Sequence, residues 1–225
     1  WLIAAGFKNF REGEPNINVT GMAEKQITSD LIVLKISVNA EGSTRSSAFT
    51  EFEKAARVMR QYLQTHGIPE KEITMSSVDI SKRTKDFWDE DSRKYVTLEN
   101  GFAVSQTFTV SSNDLKRVES VYQRISELYN RGMDFSSEKP LYYYTKLNDL
   151  KMEMLNQASA NAYERAQTIA KGSDSKVGAI VSSSMGVFQI VGLNSEEEYS
   201  WGGTFNTSSK EKVASITVRT TYKVK

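Results

Sequence analysis

Apolar residues recur every three or four positions between residues 147 and 170, the pattern of a helix with one buried face. The positions on this face are Leu147, Leu150, Met154, Ala158, Ala162, Ala166 and Ile169. A second apolar run, residues 177–190, follows directly and predicts a strand. Because the alanines of this face, together with Ala170, are small, they would let helix and sheet approach closely. The segment therefore predicts a helix that covers a sheet.

The rest of the chain predicts strands separated by two further helices. Strands are predicted near residues 17–21, 31–40, 73–82, 101–110, 133–145 and 213–225. One helix carries a stripe of Phe49, Phe52, Ala56, Met59 and Leu63, with Ser43 or Thr44 as its cap and Gly67-Ile68-Pro69 as its end; the other runs from about Asp114 to Asn130, with Asn113 as its candidate cap. The connecting segment 84–100 is expected to project. This order predicts an α+β fold, in which long amphipathic helices pack on one face of antiparallel sheet.

Composition narrows the classes of partner and chemistry. With 29 basic and 28 acidic side chains among 225 residues, the chain is nearly neutral, which argues against nucleic acid or an anionic membrane surface as partner. The chain has no cysteine, so thiol catalysis, disulfides and cysteine-ligated metals are excluded. A cysteine-free chain also suits an oxidising compartment without proving one.

The first residues, WLIAAGF, are apolar and are followed by a polar stretch. Seven apolar residues are too few to cross a bilayer, which takes about 20. We interpret residues 1–12 as the remnant of a signal peptide or anchor helix, which would place the folded part outside the cytoplasm. A frayed terminus or an apolar strand is the alternative. Residues 13–225 are then expected to form a single domain.

Two features test whether the chain carries a catalytic or metal site. His66, the sole histidine, falls at the predicted end of a helix, where an imidazolium would interact with the last carbonyls; a place in a Ser-His-Asp triad is the alternative. Asp86, Asp89, Glu90 and Asp91 could collect a cation such as Ca²⁺, but they lack the spacing of a calcium loop and have basic neighbours, which favours a solvated acidic turn. We therefore predict no catalytic residue, no metal site and no cofactor.

Aromatic residues in two polar segments are the candidate binding residues. Phe87 and Trp88 lie in the projecting segment, and Tyr199, Trp201 and Phe205 lie in a Gly- and Ser-rich loop. Aromatic side chains in such settings often anchor interfaces. The alternative is that the rings fold back over the sheet as a satellite cluster. In a strand, the run Tyr142-Tyr143-Tyr144 would expose at least one ring.

Six segments in a fixed order carry a resemblance to a known family. They are INVTGMAEKQITSD, LIVLKISVNAEG, GIPEKEITMSSVDI, NGFAVSQTFTVSSNDL, AYERAQTIAKGSDSKVGAI and ASITVRTTYKV. Together, from Asn16 to Val224, they resemble SIMPL-domain proteins of the bacterial envelope, and the GMAE form is most similar to the anchored branch. Two departures are Ser29-Asp30 in place of Pro-Asp and a compressed loop at Gly172-Ser173-Asp174-Ser175-Lys176.

The resemblance implies helices packed on antiparallel sheet, an export signal or N-terminal anchor, and in some members assembly into large rings. It implies no catalytic residue, since none is established in the family. We expect a non-catalytic, exported envelope protein that self-associates as a scaffold through sheet edges and aromatic loops. Its partners would be further copies, or an envelope or cell-wall partner, with the membrane reached only through the N-terminal segment. The alternatives are a monomeric periplasmic binding module for a cell-wall or small ligand and, third, a hydrolase.

Overall fold

A computed structural model describes residues 15–195 and 203–225. In these ranges the strands are β1 (Asn16–Thr28), β2 (Leu31–Gly42), β3 (Ile73–Met75), β4 (Asp79–Asp89), β5 (Lys94–Ser112), β6 (Asp134–Ser137), β7 (Leu141–Tyr143), β8 (Val177–Met185), β9 (Gln189–Gly192) and β10 (Glu211–Val224). The α-helices are α1 (Arg45–Thr65), α2 (Leu115–Arg124) and α3 (Leu147–Lys171), with 3₁₀ turns at Glu70–Glu72 and Ile125–Arg131. The predicted α+β class with antiparallel sheets is confirmed.

The chain divides into two compact units. The first comprises the chain up to Thr28 and the segment Tyr144–Lys225, and the second comprises Ser29–Tyr143. Each unit has its own antiparallel sheet and its own buried apolar residues, in two clusters in the first unit and one in the second. The second unit is therefore inserted, in sequence, between β1 and the rest of the first unit.

In the first unit, α3 packs on a sheet in which β10 lies between β1 and β8, and β9 also pairs with β10. The predicted helix face is confirmed at its alanines, since Ala158, Ala162 and Ala166 are completely buried. The close approach takes place over Gly21 of β1, where a Cβ would overlap the main chain of α3. The small residues on both elements therefore set how near the helix lies to the sheet.

The predicted strand 177–190 is two strands in the structure. Met185 of β8 is opposite Val218, and Gln189 of β9 is opposite Ser215. The four residue steps from Met185 to Gln189 therefore lie opposite only three residue steps of β10, from Val218 to Ser215. One extra residue interrupts the pairing, as in a β-bulge, and divides the strand.

In the second unit, the sheet order is β3-β5-β2-β6, with β4 also on β5 and β7 also on β2. β2 pairs with β5 from Ile32 opposite Ser112 to Gly42 opposite Phe102. Helices α1 and α2 pack on these strands. Completely buried members of this core are Ile32, Leu34, Ile36, Val38, Ala48, Met59, Leu63, Phe108, Val110, Val118 and Leu128. The apolar stripe of α1 therefore packs on this sheet, as the sequence predicts.

Local side chains determine where the helices of the second unit begin and end. Thr44 caps α1 through a capping box with Ser47, as one of the two predicted caps. The predicted cap Asn113 is wrong: Asp114 accepts from the Arg117 amide at the start of α2, while Asn113 donates to the carbonyl of Asp30. The segment predicted as one helix to residue 130 tightens into a 3₁₀ turn after α2.

The description of the helices as long and amphipathic is not confirmed. Large apolar side chains lie on the outer surface of α3, where Met152, Tyr163 and Ile169 are all exposed. Ile169 had been placed on the buried stripe, and Phe49 of α1 is likewise exposed. The drift arises because steps of three and four residues do not keep every position on one face over 25 residues.

Candidate interaction surface

The predicted projecting segment is a two-stranded hairpin made by the ends of β4 and β5. β5 pairs with β2 only from Phe102 onward and with β3 only at residues 108–110, so its earlier residues pair with β4 alone. The pairing continues to Asp89 opposite Lys94. We call residues 84–99 the projecting hairpin. Among the described residues, no third strand pairs with residues 84–99.

Both faces of the projecting hairpin carry exposed apolar side chains. On one, here the Phe87 face, Phe87 is opposite Val96 and Lys85 is opposite Leu98. The Lys85 ammonium lies 5.3 Å from the centre of the Phe87 ring. The exposed fractions are 43% for Phe87, 38% for Val96 and 51% for Leu98. These rings and chains have not folded back into a satellite cluster.

The opposite face, here the Trp88 face, is built around an aromatic pair. Trp88 and Tyr95 are cross-strand partners whose rings meet edge to face at 5.2 Å between centroids. They remain 49% and 73% exposed. Beside them, the Thr97 hydroxyl donates to Asp86 at 2.6 Å. Local contacts therefore order this face without covering it.

The exposed apolar area of the hairpin is large for so small an element. Its five large apolar side chains together offer on the order of 500 Å² to solvent, given the roughly 150–250 Å² that aromatic side chains present. This area is divided between two opposite faces, so each face offers about 250 Å², and exposed apolar patches that approach a few hundred Å² on monomeric proteins often take part in an interaction. A two-stranded hairpin is also only marginally stable by itself in water. Both considerations favour a surface that is covered by a partner.

The other predicted aromatic site is only partly described. Tyr199 and Trp201 lie outside the described residues. Phe205, in the first unit, forms a bridge with Ile190, and the Lys151 ammonium lies 5.7 Å from its ring centre. The ring is still 51% exposed. Phe205 thus combines a packed position with an accessible face.

The outer edge of β1 is blocked near its middle. Asn161 of α3 accepts from the Met22 amide at 3.1 Å, and Arg165 donates to the Thr20 carbonyl at 3.0 Å. These side chains line a groove of about 590 Å³ along the strand. Because they occupy the groups that another strand would use, β1 is protected against edge pairing.

The edges formed by β8 and β4 differ in character. β8 is uncharged and exposed from Ala179 to Met185, but its pairing with β10 contains two register shifts, which bend an edge away from regular pairing. β4 pairs with β5 alone within the described part of the chain. It has one register shift, between Lys82 and Thr84, and is regular from there to Asp89.

The structure places His66 where the sequence predicted, as the C-cap of α1. Its Nδ1 lies 2.8 Å from the Tyr62 carbonyl, and its ring lies 4.1 Å from the Tyr62 ring. Burial is the main cause that raises the pKa of Tyr62. These contacts account for His66 as part of a helix end.

The Asp89 carboxylate at the hairpin tip is held by local hydrogen bonds. Asp89 accepts from the Ser92 hydroxyl at 2.6 Å and from the Asp91 amide, and the first of these is the main cause that lowers the pKa of Asp89. Over residues 15–195 and 203–225, no group of three or more His, Asp or Glu side chains is placed to hold a metal ion. The tip is an ordered, charged turn.

Two polar arrangements were not predicted from the sequence. The Tyr142 hydroxyl donates to Glu119 at 3.1 Å; burial, and then this contact, raise the pKa of Tyr142 to about 12. Lys212 is buried and donates to the carbonyls of Asn206 and Ser209. Tyr142 and Glu119 are distant in sequence, and Lys212 contacts a segment without regular secondary structure. No local sequence pattern therefore predicts these contacts.

None of the helices in the described part of the chain is long and apolar enough to cross a membrane. The predicted anchor remnant, residues 1–12, lies outside the described residues.

Comparison with known protein families gives a match over most of the chain. The SIMPL family, described as "Protein of unknown function (DUF541)", matches residues 17–225. A curated relative, the "Interleukin-1 receptor-associated kinase 1-binding protein 1 homolog" of Xenopus laevis, is 22% identical over 169 residues, which are 74% of this chain and 62% of that protein. The match thus spans less than two thirds of the relative.

Two solved structures show only weak likeness. The de novo designed protein Foldit4 is 12% identical, with a TM-score of 0.24 over 48% of this chain and 93% of the design. The regulatory subunit of aspartate kinase from Thermus flavus is 11% identical, with a TM-score of 0.21 over 91% of this chain and 89% of the subunit. Scores this low carry no argument about function.

Proposed function

This chain belongs to the SIMPL family, and on that premise we propose that it is a non-catalytic, self-associating scaffold of the bacterial envelope. The observation that carries the proposal is the projecting hairpin, with five large apolar side chains exposed on two uncovered faces. Covering such a surface with a further copy would remove apolar area from water and add support to a marginal element.

The proposal of assembly rather than turnover also draws on the position of His66. Its ring is engaged with Tyr62 at the end of α1. The extracytoplasmic location rests on the apolar first residues and on the absence of cysteine from the sequence. Fractionation of the native cells tests the location, and recovery of the protein in the cytoplasm would count against it.

Light scattering coupled to size-exclusion chromatography tests self-association. The chain has a mass of 25.3 kDa. The measured molar mass of the wild type is expected to be a multiple of this value, and higher protein concentration is expected to favour the associated form. The double variant Phe87→Ser/Leu98→Ser removes apolar surface from the Phe87 face and is expected to shift the protein to a monomer. Circular dichroism of both proteins checks that the fold is retained.

A matched control replaces two equally exposed residues elsewhere. Met152→Ser/Tyr163→Ser changes the outer surface of α3, and it is expected to leave the molar mass as in the wild type. A wild type that remains at 25.3 kDa at the highest attainable concentration would contradict the proposed self-association.

A further inference from the structure

The outer edge of β4 has a charge distribution that suits pairing with itself. Lys82, Arg83 and Lys85 come first along the chain, and the acidic residues Asp86 and Asp89 of β4 follow, with Glu90 and Asp91 in the turn after the strand. Two antiparallel copies of such a strand place the basic half of each beside the acidic half of the other. A parallel arrangement would place like charges side by side, which is destabilising.

The basic residues already have partners, but these contacts are exposed. Lys82 pairs with Glu99 at 2.5 Å and Arg83 with Glu41 at 2.6 Å, with all four side chains between 39% and 65% exposed. Ion pairs of this kind contribute about 0–1 kcal/mol. They therefore leave the charged ends free to take part in a new pairing.

Symmetry restricts the register of such a pair. A twofold axis perpendicular to the sheet places one residue opposite its own copy, and residues equally spaced on its two sides face each other. Within the regular stretch from Thr84 to Asp89, centres at Lys85, Asp86 or Asp89 place identical charges on the axis. A centre at Thr84 places Arg83 against Lys85, and a centre at Trp88 places Asp86 against Glu90. Each of these registers brings like charges together.

The remaining centre of this regular stretch, Phe87, has none of these conflicts. It places Lys85 of each copy opposite Asp89 of the other, on the same face as the two Phe87 rings. Val96 and Leu98 of both copies lie on this face as well, one strand away. The register therefore joins two opposite-charge pairs to a continuous apolar surface.

We propose that β4 pairs antiparallel with β4 of a second copy of this chain about a twofold axis at Phe87, which makes a continuous four-stranded ribbon from two projecting hairpins. This inference rests on the proposed self-association and specifies its surface and its register. The ribbon has two Phe87 rings at its centre and a Lys85–Asp89 pair on each side.

Charge exchange tests the pairing, with sedimentation velocity as the readout. Lys85→Asp and Asp89→Lys each place two like-charge pairs at the interface, and each is expected to weaken dimerisation about tenfold or more, a loss of roughly 1.4 kcal/mol or more. The double variant Lys85→Asp/Asp89→Lys restores opposite charges across the axis, and it is expected to dimerise like the wild type. Lys139→Asp, an exposed site between β6 and β7, is the matched control and is expected to change nothing.

Mixing the two single variants adds a stricter test. A copy with Asp at 85 and a copy with Lys at 89 are complementary at both pairs, so the mixture is expected to form heterodimers although each variant alone is weakened. If Asp89→Lys loses the native circular dichroism spectrum, Asp89→Asn replaces it in the single-variant measurement and is expected to weaken the dimer less.

The outcomes separate this inference from the proposed function. If the wild type associates but Lys85→Asp associates equally well, the β4 pairing is wrong and self-association stands. Loss of association in Ser183→Lys, which charges the β8 edge, together with unchanged association in Lys85→Asp, would assign the interface to β8 and overturn the inference. A wild type that is monomeric at all concentrations contradicts both.

Discussion

Tyr142 shows how a single half-buried contact links stability to pH. Its hydroxyl donates to Glu119, and burial is the larger cause of the rise of its pKa to about 12, ahead of the hydrogen bond and the negative charge of Glu119. All three causes favour the protonated phenol. The folded state therefore keeps this proton at a pH where the unfolded chain, with the ordinary value of 10.0, has lost it.

The free energy of unfolding is expected to depend on pH because the pKa of Tyr142 differs between the folded and unfolded states. The contribution of Tyr142 is fully present below pH 10.0 and is lost as the pH rises toward about 12, because only the unfolded state releases the proton in that interval. Urea unfolding across the interval is expected to show a smaller decline for Tyr142→Phe than for the wild type. Glu119→Gln, which removes the charge and keeps an acceptor oxygen, is the control and is expected to lie between them. Equal declines in all three proteins would rule out the linkage.

At the scale of residues, local signals were predictable and distant contacts were not. His66 could be assigned to the end of α1 because Gly67 and Pro69 follow it directly. The cap of α2 was misplaced by one residue, since Asn113 and Asp114 are both good caps and only the contact with the Asp30 carbonyl distinguishes them. The pair of Tyr142 and Glu119 spans 23 residues, so it has no periodic signal.

At the scale of elements, the closest approach in the first unit is that of α3 to β1. A Cβ at Gly21 would overlap the carbonyl oxygen of Ala158 and lie 2.5 Å from the amide nitrogen of Ala162. Both are main-chain atoms, which cannot move aside as a flexible side chain can. The helix would have to shift away from the strand.

Gly21→Ala is therefore expected to destabilise the protein by about 1–3 kcal/mol, as overpacking of a tight contact does. Gly172→Ala, after the end of α3, is the matched control. Its Cβ would lie 3.5 Å from the Ile169 carbonyl oxygen, an ordinary van der Waals distance, and its φ of −65° suits any residue. Thermal unfolding of both variants measures the difference. A Gly21→Ala protein as stable as the wild type would show that α3 is not held at this distance.

The elements themselves were largely predictable, while their interruptions and extensions were not. The alanine face of α3 and the alternation in β10 are periodic and were found. The division between β8 and β9 depends on one extra residue opposite β10. The positions of apolar residues along the sequence do not reveal it. The hairpin was expected only as a projecting segment, because its charged residues mask the alternation on its two faces.

At the scale of the whole molecule, the family and the α+β class could be recognised from six ordered segments. The candidate surface could be recognised only in part. Phe87 and Trp88 were identified as aromatic residues in a polar segment, but Tyr95, Val96 and Leu98 were not, since they become neighbours only through the pairing of β4 with β5. The uncovered hairpin that they form is the basis of the proposed assembly.

A single engineered thiol tests this assembly most directly, because the chain has no cysteine of its own. The twofold pairing places position 87 of one copy opposite position 87 of the other, at a Cα separation of about 4.5–5.5 Å that a disulfide can span. Under mild oxidation, Phe87→Cys is expected to form a covalent dimer rapidly, and Met152→Cys, on the exposed surface of α3, is expected to remain mostly monomeric. Equal and slow cross-linking of the two variants on non-reducing gels would contradict association through the projecting hairpin.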